Sequence, residues 1–138
     1  MVHKPNYHSS FVVEQLLEEK LIHVQQSAQK EPDLFINWGE SFVAQYDAAM
    51  PQPRQAAFQF NLGPLALQFM LKNGGNGWFR TRVVAPYLRT GALKRVKGAP
   101  EFTYPIYIMY RADGNKRFLE SAIDGLRSLV DEDPPWEL

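Results

Sequence analysis

Two short segments of this chain combine residue types that can hold a small anion: Asn37-Trp38-Gly39-Glu40-Ser41-Phe42 and Asn61-Leu62-Gly63-Pro64. Each follows a short apolar run and opens a stretch with helical spacing. A helix start presents free N–H groups and the positive end of the backbone dipole. In open α/β sheets, ligands settle beyond the carboxyl ends of the strands, where such starts gather. Two of these junctions on one sheet would line one rim. The same residues also have a plainer use: Ser41 and Asn61 as caps, Pro64 at an early helical position, Trp38 as filling for the core. Spacing alone leaves both uses open.

Other chemistry is thin. The histidines are His3, His8 and His23, and none has a partner at metal-ligand spacing such as H-E-x-x-H, so they read as surface or strand residues. There is no Cys, which excludes disulfides, zinc-thiolate sites and cysteine nucleophiles. No G-x-S-x-G elbow or P-loop is present. Asn73-Gly74-Gly75-Asn76-Gly77 follows a helical pattern instead of leading into one. It reads as a helix cap and turn, with close approach to a ligand as the alternative. Glu40, Tyr46 and Asp47 near a helix start could do acid–base work, and nothing else supports turnover. The chain is therefore expected not to be an enzyme and to need no metal or cofactor.

These residues need elements to position them. Phe11, Val12, Val13, Leu16 and Leu17 have helical spacing behind Ser9 or Ser10, which predicts a short helix there. Residues 21–24 read as a strand, 25–31 as a loop and 34–36 as a second strand. Phe42, Val43, Tyr46 and Ala49 predict a helix that Pro51 and Pro53 end. Residues 57–60 read as a strand, with Asn61 as the cap of a buried helix over 65–71. Residues 78–84 alternate and predict a strand, followed by a turn at Pro86. Strands are expected at 93–96 and 104–110. Phe118, Ala122, Ile123, Leu126, Leu129 and Val130 mark an amphipathic helix, and the stretch from Asp131 to Pro135 ends the fold. Strands alternating with helices, with extra strands late, give an α/β class with helices on the faces of a sheet.

Composition agrees with one globular domain over residues 1–138: 138 residues, 45% hydrophobic and 22% charged. Lys+Arg and Asp+Glu both number 15, so there is no basic excess to neutralise phosphates. Arg80, Arg82, Arg89, Lys94, Arg95 and Lys97 are interrupted by apolar residues and read as scattered surface charge. No contact with nucleic acid or membrane is expected. The polar N-terminus shows no signal peptide, and no apolar run reaches the ~20 residues that span a bilayer. A cytoplasmic protein is the expectation.

In order along the chain, several segments resemble the effector-binding domain of LysR-type transcriptional regulators. They are Val13 through Val24, Phe35-Ile36-Asn37-Trp38-Gly39-Glu40-Ser41-Phe42, Leu62 through Gly77, Gly91-Ala92-Leu93-Lys94-Arg95-Val96, and Tyr104 to Arg111 with the helix to Val130. The turn departs from the family pattern: Gly75-Asn76-Gly77 leads to Trp78-Phe79-Arg80, and Pro is delayed to Pro86. The resemblance implies a Rossmann-like subdomain of a type II periplasmic-binding-protein-like effector domain. That domain would be truncated at its N-terminus and would lack the helix-turn-helix. It implies that Trp38, Gly39, Glu40 and Ser41 lie at the effector cleft, that Leu62, Gly63 and Pro64 face it, and that Gly75, Gly77 and Trp78 complete that side. The effector would be a small molecule, an anion by its fit to helix starts, and weakly held here because the opposite wall is missing. A strand at 104–110 without its usual neighbours would pair with another copy, giving a homo-dimer or higher oligomer. The competing expectation is a self-contained binding or structural α/β domain in which that strand is paired within the monomer.

Overall fold

A computed structural model describes residues 11–132, so the expectations for His3, His8 and Pro134-Pro135 lie outside it. The elements are β1 (Phe11–Gln26), β2 (Leu34–Ile36), α1 (Glu40–Ala49), β3 (Phe58–Phe60), α2 (Gly63–Asn73), β4 (Asn76–Arg80), α3 (Thr81–Thr90), β5 (Leu93–Arg95), β6 (Phe102–Arg111) and α4 (Lys116–Glu132). They fall into two compact units, one of residues 19–104 and the other of the described residues up to 18 with 105–132. β1 and β6 each run through both units and pair with one another.

In the larger unit β1 is the central strand. Antiparallel pairing sets Leu21 opposite Arg80 and Gln25 opposite Asn76 on β4, and Val24 opposite Arg95 on β5. A parallel bridge from Asp33 to Asn76 joins β4 to β2, and β2 pairs in parallel with β3, Ile36 opposite Phe60. Thus β3, β2 and β4 point the same way, and a helix follows each. Two apolar clusters pack on this frame. One gathers Ile22, Val24, Leu34, Ile36, Leu67, Met70, Phe79 and Val84; the other gathers Leu21, Phe35, Phe42, Trp78 and Phe102. Each large side chain so buried contributes roughly 1.5–3 kcal/mol.

Several expectations are corrected. Residues 11–19 are not a helix: they begin the 16-residue strand β1. Their Glu- and Leu-rich composition favours a helix locally, but cross-strand pairing with β6 outweighs propensity differences of a few tenths of a kcal/mol per residue. The strand expected over 78–84 stops at Arg80, and Pro86 lies inside α3 instead of in a turn. Beneath the alternation runs a helical period, Thr81, Val84 and Ala85, and these are the residues α3 buries. α2 is less enclosed than expected: Ala66, Leu67 and Met70 are buried while Leu65 is exposed. Asn61 is not its cap, since Leu62 is; Ser41 lies within α1, whose cap is Gly39. β6 is not an unpaired strand, because β1 pairs with it within the chain.

In the smaller unit, Arg127 of α4 forms an ion pair with Glu14 of β1. Among the described residues, no helix is long and apolar enough to cross a membrane.

Candidate functional site

The carboxyl ends of β2, β3 and β4 form one rim. β2 ends at Ile36 and α1 starts at Glu40; β3 ends at Phe60 and α2 starts at Gly63; β4 ends at Arg80 and α3 starts at Thr81. The backbone N–H of Asn37 donates to Phe60 O at 2.8 Å, which locks the first two exits together. The Gly39 N–H donates to Asn37 Oδ1 at 2.8 Å, closing a tight turn into α1. Gly39 caps the helix at φ 116°, a left-handed backbone that a side chain would strain. Neither α1, α2 nor α3 carries a side-chain cap, so no cap oxygen occupies the first-turn N–H groups.

Trp38 organises this rim. Its indole N–H donates to Trp78 O at 2.9 Å, and its ring meets Phe79 edge-on with centroids 6.2 Å apart. The other end of the ring lies against the start of α2: a Cβ on Gly63 would sit 2.4 Å from Trp38 Cη2. Gly63 is thus required by packing, whatever else approaches it. The guanidinium of Arg80 lies over the Trp38 ring at 5.6 Å and over the Tyr104 ring at 6.0 Å. Arg80 Nε is buried and has no hydrogen-bond partner among the described residues. Buried polar groups in proteins are nearly always satisfied, so an orphaned guanidinium N–H is the feature here that points to an unprotein partner such as water or an anion.

The structure brings Trp38, Gly39, Glu40, Ser41, Leu62, Gly63 and Pro64 together at the helix starts. Glu40 and Ser41 are exposed, and a shallow depression lined by Asn37, Gly39, Glu40, Val43 and Ala44 lies beside them. Glu40 sits in the first turn of α1, where its carboxylate meets the positive dipole end and opposes an incoming anion. Gly75 and Gly77 are elsewhere, the first just before β4 and the second its second residue. A Cβ on Gly75 would meet Pro32 O at 3.0 Å, and one on Gly77 would meet Ile36 Cδ1 at 2.9 Å. Their smallness serves strand packing. Trp78 spans the two regions: its carbonyl holds Trp38, while its buried ring stacks on His23 at 3.8 Å and donates from Nε1 to Pro100 O at 3.0 Å.

The sequence alone does not mark Arg80 as a candidate site residue, because it stands among basic residues interrupted by apolar ones; the signal lies in its place at the end of a strand followed by Thr81, legible only once α3 is seen to start there. The neighbouring Arg82 instead pairs at 3.1 Å with Glu19, which is buried.

No protein-family model and no curated protein matches the sequence. Solved structures share its fold. The bromide-bound regulatory domain of HypT from Salmonella typhimurium is 15% identical with a TM-score of 0.67, over 92% of this chain and 70% of that one. Full-length HypT, a hypochlorite-specific LysR-type transcriptional regulator, gives 14% and 0.64 over 92% of this chain and 49% of its own. The effector domain of AmpR from Pseudomonas aeruginosa gives 12% and 0.62 over 91% and 69%. The chain thus has the α/β fold of LysR-type effector domains and spans about half of the full-length HypT regulator.

Proposed function

We propose that this chain is the effector-sensing and self-associating module of a LysR-type transcriptional regulator, and that its effector is a small anion held where α1, α2 and α3 begin. The observation that carries the reading is Arg80: a guanidinium with an orphaned, buried Nε, stacked over Trp38 at the shared exit of three parallel strands. The helix starts on either side add partial positive charge at no cost in reorganisation. A likeness in fold to a regulatory domain that carries bromide supports the same ligand class. DNA contact is not assigned to this chain, whose charges balance.

Self-association rests on a different feature from the one first expected, since β6 is already paired. Phe118, Leu126 and Leu129 of α4 are exposed, Phe118 at 72%, and their spacing puts them on one stripe of the helix. Apolar stripes of this kind mark association surfaces.

The pairing of β6 with β1 within one chain is also what a self-contained structural domain would show. The two readings part over ligand binding. Titrating the protein with bromide at constant ionic strength, while following the Trp38 indole N–H by NMR, should give a saturable shift. Arg80→Gln should weaken it about tenfold, the ~1.4 kcal/mol or more that a charged hydrogen bond supplies. No saturable response to bromide or to small carboxylates would leave the structural reading.

A further inference from the structure

The other end of the same helix carries a second site. α1 is 10 residues long, so its last turn lies about 15 Å from the rim. There a groove of about 320 Å³ is bounded by Asp33 just before β2 and Leu34 at its start, Tyr46 in the last turn of α1 and Met50 just past it, and Asn76 and Trp78 of β4. Pro51 and Pro53 form a further wall whose backbone φ is fixed by the rings, and His23 also lines the groove. The volume sits at the low end of small-molecule sites.

Asp33, Asn76 and His23 are tied to one another before any ligand arrives. Asn76 Nδ2 donates to Asp33 Oδ1 at 2.7 Å and to Lys30 O at 2.8 Å, and Asn76 Oδ1 bonds His23 Nε2 at 2.8 Å. The His23 ring lies flat on Trp78, 8° from parallel, and Tyr46 meets Trp78 edge-on at 5.3 Å. Arg54, the one lysine or arginine on the lining among the described residues, pairs with Asp47 at 3.2 Å and covers the Phe35 ring at 4.6 Å. Burial lowers the His23 pKa, which keeps the imidazole neutral near pH 7. Asp33 is left as the charge without an ion-pair partner among the described residues, with Oδ2 free of the Asn76 bond. Asp33, His23 and Tyr46 all line this one space.

We propose that this groove binds a small organic amine, its ammonium on the Asp33 carboxylate and its apolar body against Met50, Pro51 and Trp78. A cation is favoured over an anion because the groove's uncompensated charge is negative. An apolar body is favoured over a bare metal ion because most of the wall is carbon and a single carboxylate is a poor cage. This site does not depend on the anion reading of the rim.

The test uses phenethylamine as probe, with phenylacetate as its anionic and phenylethanol as its neutral counterpart. The whole chain is titrated while the Trp78 indole N–H and the Asn76 side-chain amide are followed by NMR. The amine should saturate with a dissociation constant on the order of 1 mM or tighter, and phenylacetate should bind at least roughly tenfold more weakly. Asp33→Asn keeps an acceptor for Asn76 and should lose about tenfold in amine affinity. Gln52→Lys, a change at an exposed residue on the lining, should weaken the amine while leaving phenylethanol unchanged. Absence of saturation, equal affinity for amine and acid, or unchanged amine binding in Asp33→Asn would overturn the proposal. The bromide response at Trp38 is read separately, so either site fails without the other.

Discussion

At the scale of single residues, Trp38 and Gly63 form a matched pair. Placing alanine at 63 would gain up to ~1 kcal/mol of helix propensity. It would also put a methyl 2.4 Å from an indole that is anchored by its bond to Trp78 O, so the ring cannot retreat freely. Overpacking of this kind costs roughly 1–3 kcal/mol. Gly63→Ala is expected to lower stability by about 1 kcal/mol in urea denaturation and to blunt the bromide response, whereas a stabilised variant would show that the ring moves easily. Glu40 acts in the opposite sense on the ligand: Glu40→Gln removes a carboxylate beside the α1 start and should tighten anion binding severalfold in the same titration. His23 supplies a pH dependence. Its folded pKa is lowered, chiefly by desolvation, so the unfolded chain takes up a proton first as pH falls below the ordinary 6.5. Its contribution is therefore present above 6.5 and is lost as pH drops through the lowered value. Thermal melts between about pH 7 and 5 should lose less midpoint in His23→Gln than in the parent. At this scale Trp38, Gly39 and Gly63 were legible because glycine and tryptophan at strand-to-helix junctions have few uses. Arg80 was not, because an arginine's role depends on which ring lies beneath it.

At the scale of elements, the sequence is ambiguous where two periods coexist. Residues 81–85 satisfy both alternation and a helical period, and the deciding contacts are tertiary: Thr81 Oγ1 donates to Lys20 O at 3.0 Å, and Val84 enters the apolar cluster with Ile22 and Phe79. Missing α3 hid one of the three helix starts on the rim. Residues 11–19 show the reverse case, a good local helix drawn into a strand by a partner about 90 residues away, beyond the reach of local pattern. α4 was legible throughout because its period is long and unbroken. Its exposed stripe gives a prediction at this scale: Leu129→Glu should shift the protein toward monomer in sedimentation equilibrium without loss of helix content. A parent protein that is monomeric at high concentration would remove α4 as an association surface.

At the scale of the whole molecule, the α/β class and the strand–helix alternation could be read from the sequence, and the resemblance to LysR-type effector domains agrees with the fold of the HypT and AmpR domains. The parallel direction of β3, β2 and β4, which makes the rim, could not be read, since it is set by the Asp33–Asn76 bridge and the β2–β3 register. Binding at the rim should stabilise the fold by mass action, about 2.7 kcal/mol at a hundredfold excess over the dissociation constant. The most direct measurement is a crystal of this protein soaked in bromide, with the halide located by its anomalous scattering. A bromide is expected beside the Arg80 guanidinium, against Trp38 and the start of α1 or α2. Well-ordered bromide found only away from Arg80, with that rim empty, would exclude the rim as the anion site.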